Sequence, residues 1–216
     1  MIRVVIADDH TIVREGLKQI LSAESDLEVV GEARDGHEAL KFVRESDFDV
    51  LLLDMSMPGK GGMELIKQVK SEKPKLRILV LSMHAEHQYA VRAIKSGASG
   101  YLTKDSASEQ LLSAVRKVAG GGAFISAEVA EQLAHSAMPH AEGPPHASLS
   151  DREYQVFQLL VSGKSVTDIA EQLNLSVKTV STHKARLMEK MRLANQTELI
   201  HYAIRHRLVD DSATPG

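Results

Sequence analysis

Val50-Leu51-Leu52-Leu53-Asp54 is an aliphatic run closed by a carboxylate, and Met55-Ser56-Met57-Pro58-Gly59 follows it directly. Four apolar side chains in succession leave no polar face, so a strand here is expected to be buried on both sides, as in a parallel sheet covered by helices. The run is far too short for the roughly 20 residues of a membrane span. Proline and glycine end it. A carboxylate at that end contributes nothing to a core; it stands where the loops of a parallel sheet gather, the edge at which such sheets bind ligands.

On either side of this run the same alternation repeats. Upstream, strand patterns at 2–7 and 27–33 alternate with helical patterns at 11–23 and 36–45. Downstream come a helix over 63–72, a strand over 77–82, a helix near 86–96, a short strand at 100–102 and a helix near 108–119. Five βα units in sequence predict an α/β fold with a five-stranded parallel, doubly wound sheet. Gly120-Gly121-Gly122 closes the fifth helix, and Ser126 followed by Glu128 and Glu131 opens a further short one. Residues 138–147 hold three prolines and no periodicity, the composition of a flexible linker.

Beyond the linker only helical patterns occur, each with a start signal. Ser150 with Glu153 forms a capping box for a helix over 151–161, which Gly163 follows. Ser165 with Asp168 opens a short helix to about residue 173, Ser176 a longer one to about 191, and Asn195 with Glu198 a last one to about 205. The expected organisation is an α/β domain over 1–120, a helix and linker over 121–147, and a small all-α domain over 148–210.

Composition narrows the chemistry. The chain of 216 residues has no cysteine, so disulfides, thiol chemistry and zinc-thiolate sites are excluded and any metal must sit on oxygen or histidine. Met1-Ile2-Arg3-Val4 runs directly into a strand without a signal-peptide layout, and the expectation is a soluble cytoplasmic protein with no membrane partner. The net charge of −3 is uneven: residues 1–147 hold 17 Lys and Arg against 21 Asp and Glu, and residues 148–216 hold 9 against 8. The second part is the better partner for a polyanion.

The strand ends carry the candidate site. Asp8 and Asp9 close the first strand and Asp54 the third, so three carboxylates converge on one edge and repel one another unless a cation lies between them. A hard divalent ion such as Mg2+, which takes carboxylates, waters and phosphate oxygens, satisfies that arrangement. Ser82 at the end of the fourth strand offers a hydroxyl, and Lys104, just after the fifth, a cation for developing negative charge. His10 follows the acidic pair, but the expected ion prefers oxygen, so His10 is assigned to the start of the helix.

Asp8-Asp9, Asp54-Met55-Ser56-Met57-Pro58-Gly59, Ser82-Met83 and Gly100-Tyr101-Leu102-Thr103-Lys104 resemble the signature of two-component receiver domains over residues 1 to about 120. The resemblance implies that Asp54 is the phosphoacceptor, that Asp9, Asp54 and the carbonyl of Ser56 bind Mg2+ directly, and that Asp8 helps through water. It also implies that Lys104 contacts the phosphoryl group, that Ser82 and Tyr101 form a switch pair, and that Pro58-Gly59 shape the loop after the acceptor. Ordinary strand packing is the alternative role for Tyr101.

Residues 165–173, the break at Asn174-Leu175 and the helix opened by Ser176 have the proportions of a helix-turn-helix, whose second helix enters the major groove. Val177, Lys178, Thr179, Ser181 and Thr182 stand at its N-terminal end, and residues 177–192 carry five Lys and Arg against one acid. A solvated basic face is the bland alternative. Leu149-Ser150-Asp151-Arg152-Glu153, Gly163-Lys164-Ser165, Asp168-Ile169-Ala170, Leu175-Ser176-Val177-Lys178-Thr179-Val180 and His183 resemble the LuxR-type DNA-binding domain over about 148–207. The two halves together are similar to the NarL/FixJ family of transcription regulators. That resemblance implies base contacts from Lys178, Thr179 and Ser181 or Thr182, backbone contacts from His183, Lys184 and Arg186, and a dimer contact near 195–203. Tyr154, Met191 and Arg192 depart from the common pattern, in which a polar residue, Leu and Gly are more usual.

The expectation is therefore a regulator phosphorylated on Asp54 by a sensor histidine kinase, which then forms a homodimer or frees its recognition helix and binds double-stranded DNA. Three rivals stand beside it. A haloacid-dehalogenase-like phosphatase would carry an aspartate where Ser56 stands, which argues against an enzyme. A vestigial receiver does not need the full acidic set and Lys104, and a pure protein adaptor does not need the basic helix.

Overall fold

The structure is a computed structural model that describes residues 1–57, 62–82, 87–136, 144–206 and 208, with the side chains of 87, 88, 108 and 136 excepted. Pro58-Gly59, Met83, Glu86, linker residues 138–143 and the end of the second domain at 209–210 lie outside them. The chain divides into two compact units, Met1–Leu133 and Ala134–Gly216, each of which is described by itself.

In the first unit five strands, β1 (Ile2–Ala7), β2 (Leu27–Ala33), β3 (Val50–Asp54), β4 (Arg77–Ser82) and β5 (Gly100–Thr103), form a parallel sheet in the order β2-β1-β3-β4-β5. Its helices are α1 (Thr11–Ser22), α2 (Gly36–Glu45), α3 (Gly62–Glu72), α4 (His87–Lys95) and α5 (Lys104–Ala119), with α6 (Ala127–Ser136) following. The run that predicts a doubly covered strand is one: Val50, Leu51, Leu52 and Leu53 are all fully buried. On one face Val4, Ile6, Leu52, Leu81 and Leu102 pack against Leu17 and Leu21 of α1 and Leu111, Val115 and Val118 of α5. Helices α2, α3 and α4 cover the other face in succession.

Register sets the site. Ala7 pairs with Leu53, Asp54 with Leu81, and Ser82 with Thr103. Parallel strands in this register bring their carboxyl ends to one edge, so groups distant in sequence become neighbours.

The fifth helix departs from the expected start near residue 108. Strand β5 extends to Thr103, and α5 begins at Lys104 without a connecting loop. Thr103 is the N-cap, its hydroxyl accepting from the Ser106 amide at 3.4 Å and standing 2.6 Å from the Ser106 hydroxyl. Thr-x-x-Ser lacks the acidic third residue of a capping box, which hides this start in the sequence.

The second unit is helical: α7 (Asp151–Val161), α8 (Val166–Gln172), α9 (Val177–Met191) and α10 (Gln196–Arg205). Both expected capping boxes form, Ser150 with Glu153 and Ser165 with Asp168. Tyr154, Phe157, Ile169, Val180, Leu187 and Leu199 are almost completely buried between the helices. One part of the expected linker is corrected: Pro145–Ser148 forms a turn of 3-10 helix that buries His146, whose Nδ1 lies 2.8 Å from the Tyr202 hydroxyl. A segment with little periodicity folds here because one aromatic nitrogen finds a partner on α10.

Arg192 ends α9 in the left-handed region at φ 55°, with the Leu193 amide donating to the Met188 carbonyl at 3.0 Å. That closure suits glycine, which explains why glycine is the more usual residue there. Asn174 turns the chain between α8 and α9 in the same way at φ 51°, and asparagine tolerates this conformation better than most residues.

Candidate functional site

Asp8 and Asp54 are fully buried, as is Ser82 at the end of β4, while Asp9 is partly exposed. Oxygens of Asp8, Asp9 and Asp54 and a ring nitrogen of His10 lie within 4.8 Å of one another. Lys104 reaches into this group from the first turn of α5. Its Nζ donates to Asp8 Oδ2 at 2.7 Å and stands 3.0 Å from Asp54 Oδ2. The strand ends thus unite four of the groups singled out in the sequence.

Hydrogen bonds fix the carboxylates. Asp54 Oδ1 accepts the amide of Ser56 at 3.1 Å, which folds the chain back just after β3. Asp8 Oδ1 accepts the amide of His10 at 2.8 Å. His10 is the residue before α1; its ring is exposed, with Nδ1 3.3 Å from Asp8 Oδ1 and 3.0 Å from Asp9 Oδ1. Arg14, which no sequence signal marks, donates from its guanidinium to the Asp8 carbonyl oxygen at 2.7 Å.

Burial pushes the Asp54 carboxyl above its ordinary pKa, against the pull of Lys104, and the charge of Asp8 adds to the rise. Burial alone would lower Lys104, but its hydrogen bonds and charge interactions with Asp8 and Asp54 outweigh that and hold it above the ordinary lysine value. The pocket is an excess of buried negative charge met by one ammonium.

The donor set suits a hard divalent cation. Asp9 Oδ1 is itself buried and, although His10 Nδ1 stands 3.0 Å away, accepts no aligned hydrogen bond among the described residues, while the rest of the side chain is partly exposed. With the oxygens of Asp8 and Asp54 beside it, the pocket offers oxygen ligands of the kind magnesium takes. Tyr101 is buried on β5, two residues before the end of the strand.

In the second unit Val177, Lys178, Ser181, Thr182 and Arg186 are exposed on α9. Thr179, His183 and Lys184 are half-buried. The Thr179 hydroxyl lies 2.7 Å from that of the N-cap Ser176, and Lys184 Nζ donates to Gln196 Oε1 on α10 at 2.9 Å. Burial, with the positive charges of Arg152 and Arg186, holds the His183 imidazole below its ordinary pKa against the opposing pull of Glu153. The neutral ring is therefore favoured there. Glu153 is buried and accepts Lys190 Nζ at 2.6 Å, bracing α7 against α9. Gln196 and Glu153 escape a reading of the recognition helix because each acts from a neighbouring helix.

A doubly wound sheet with an acidic pocket, carried on one chain with a helix-turn-helix, defines a switch joined to a DNA reader. Residues 4–116 match the family model of the response regulator receiver domain, and residues 147–203 that of bacterial regulatory proteins of the luxR family. The chain is 40% identical to the response regulator UvrY of Escherichia coli K12 over 209 residues, 96% of each chain. It is similar to RcsB of Salmonella enterica serovar Typhimurium bound to the promoter rprA in the presence of the phosphomimetic BeF3−, with 31% identity and a TM-score of 0.66 over 93% of this chain and 97% of that one. A structure of two RcsB dimers bound to two parallel DNAs is 32% identical with a TM-score of 0.58, covering 94% and 98% of the two chains. The chain belongs to the NarL/FixJ family of response regulators, which are phosphorylation-dependent DNA-binding transcription regulators and not enzymes.

Proposed function

We propose that Asp54 accepts a phosphoryl group from a sensor histidine kinase and that this controls dimerisation and promoter binding. The observation that carries the assignment is Lys104 Nζ held between Asp8 and Asp54 at 2.7 and 3.0 Å, with Asp54 fully buried at the end of β3. An oxygen of Asp54 forms the new P–O bond as the P–N bond of the donor's phosphohistidine breaks, and the bonding pair leaves with the imidazole. Lys104 stabilises the charge on the transferred group. Asp9, Asp54 and the Ser56 carbonyl would hold Mg2+, with Asp8 helping through water, and the bound ion would neutralise charge on the phosphoryl oxygens.

Ser82 and Tyr101 are the switch. The Ser82 hydroxyl gains a charge-assisted hydrogen bond to the phosphoryl group and vacates space into which the Tyr101 ring moves. Residues 1–120 carry this chemistry, 121–147 tether it, and 148–210 bind double-stranded DNA. Lys178, Ser181 and Thr182 read bases with Val177 and Thr179 beside them, and His183, Lys184 and Arg186 face the backbone. The half-buried positions of Thr179, His183 and Lys184 favour supporting roles for these three. The protein acts in the cytoplasm; among the described residues no helix is long and apolar enough to cross a membrane.

The test is to incubate the protein with Mg2+ and acetyl phosphate and to follow intact mass, dimerisation and DNA binding, with Asp54→Asn alongside. One adduct that requires both Asp54 and Mg2+ and strengthens dimerisation and DNA binding is expected. An adduct on Asp54→Asn, or full stimulation of DNA binding in that variant, would refute the assignment.

A further inference from the structure

The sheet does not end at β5. After α5 the chain turns through Gly120-Gly121-Gly122, with Gly121 at φ +89°, and returns along the open edge of β5, where Phe124 pairs in parallel with Gly100. The Tyr101 amide donates to the Phe124 carbonyl oxygen at 2.8 Å, and the Phe124 amide to the Ser99 carbonyl oxygen at 3.1 Å. Ser126, two residues on, bonds the Val129 amide through its hydroxyl and opens α6, on which Val129 is buried. This strap is fitted to its seat. A Cβ at Gly100 would lie 3.0 Å from the Phe124 carbonyl oxygen, so the close approach favours glycine, and Lys117 Nζ stands 5.7 Å from the centre of the Phe124 ring.

The strap and the switch residue also share a cavity. Tyr101, Thr103 and Gln110 line one part of a space of about 320 Å³, and Phe124, Ile125 and Val129 line another. Tyr101 is therefore tied to the strap by its backbone hydrogen bond and borders the same space as the strap.

We propose that the strap at residues 123–126 is the mechanical output of the receiver: it senses Tyr101 and passes the change along the chain into α6. The inference rests on the switch role assigned to Tyr101. Movement of the ring toward Ser82 enlarges the space that Tyr101 shares with the strap, and the strap loses lining on that side, because a void offers its walls no partner atoms. A single pairing residue carries little stability of its own, so the strap loosens while the sheet stays intact. The strap runs directly into α6, and the freedom of the strap becomes the freedom of that helix.

The experiment uses the full-length protein with acetyl phosphate and Mg2+. Amide hydrogen exchange is followed by NMR, the adduct at Asp54 by mass, and DNA affinity with and without phosphodonor. In the wild type, phosphorylation should speed exchange at the Tyr101 and Phe124 amides while those of β1 and β3 keep their protection. Phe124→Pro, which removes the donor to Ser99, should take up phosphate at Asp54 as the wild type does, yet its ratio of phosphorylated to unphosphorylated DNA affinity should fall to about one, the loss expected when both states share one population. An adduct with unchanged or slower exchange at Tyr101 and Phe124 overturns the proposal, as does a wild-type ratio in Phe124→Pro. Absence of any adduct on the wild type would instead overturn the assignment of Asp54, and the strap proposal with it. Should Phe124→Pro fail to fold, the wild-type exchange decides alone.

Discussion

Replacing Lys104 with methionine removes the ammonium that stands between Asp8 and Asp54, at 2.7 and 3.0 Å. Both carboxylates are buried, and the Lys104 side chain is itself only 10% exposed. Breaking a buried pair by deleting one partner costs roughly 3–5 kcal/mol. Protonation of Asp54 sets a ceiling on this loss. Because Asp54 already titrates above 3.8 in the folded wild type, the ceiling is counted from that raised value and lies about 2.7 kcal/mol lower at pH 5.5 than at pH 7.5, at about 1.36 kcal/mol per pH unit. The sign follows from linkage. Burial raises the folded pKa of Asp54, so the folded state holds a proton that the unfolded state has released, and stability falls as pH rises above 3.8 until the folded pKa is reached. Removing Lys104 extends that window upward. Urea unfolding in EDTA should therefore show Lys104→Met about 3–5 kcal/mol less stable than wild type at pH 7.5, and a smaller loss at pH 5.5. Mg2+ should stabilise the variant more than the wild type, since the ion no longer competes with an ammonium. A loss below about 1 kcal/mol at pH 7.5, or an equal loss at both pH values, would refute the electrostatic account of the pocket.

Other consequences are as open to measurement. Lys178→Ala should weaken binding to the specific duplex by about 1–3 kcal/mol and narrow its advantage over a scrambled one in fluorescence anisotropy; equal weakening on both would move Lys178 to the phosphates. Burial would raise Glu153, but hydrogen bonds from Lys190 and Ser150 bring its pKa below the ordinary value, so its contribution is present above 4.5 and lost as pH falls through the folded value. Lys190→Met should move the acid unfolding of the helical unit to higher pH, and an unchanged midpoint would count against the bracing role of Glu153. Phe157 is fully buried, and Phe157→Ala should destabilise the helical unit by about 3–5 kcal/mol, abolishing DNA binding while the mass assay still records the adduct at Asp54.

Much of this molecule is legible in the sequence because its signals are local and agree with one another. The aliphatic run at 50–53 can be little but a covered strand, and Ser150 with Glu153 marks the start of α7 to the residue. The convergence of Asp8, Asp54 and Lys104 follows once the strands are known to be parallel, since their carboxyl ends then share an edge. What the sequence hides is either a local signal in an uncommon form or a partner far along the chain. Thr103 starts α5 through Ser106 rather than an acid, and His146 is ordered by Tyr202 on the last helix. Phe124 reads as part of a loop after three glycines; only the open edge of β5 makes it a strand residue. Lys184 reads from its own helix as a DNA contact, and its hydrogen bond to Gln196 on α10 is a partner that the helix alone does not reveal.

The direct passage of β5 into α5 gives Lys104 an unusual address. It is the first residue of a helix, the end where the backbone dipole favours anions and disfavours an ammonium. Asp8 and Asp54 offset that opposition, so the helix start and the acidic pocket share one charge balance. Asparagine at position 54 would block the acceptor and at the same time leave Lys104 held by Asp8 alone at the positive end of α5. Such a protein is a poor stand-in for the resting regulator, because a cation has been partly released where none was before. Comparing Asp54→Asn with Asp54→Asn/Lys104→Met separates the two effects: a property that differs between them belongs to the freed ammonium and not to the missing phosphate.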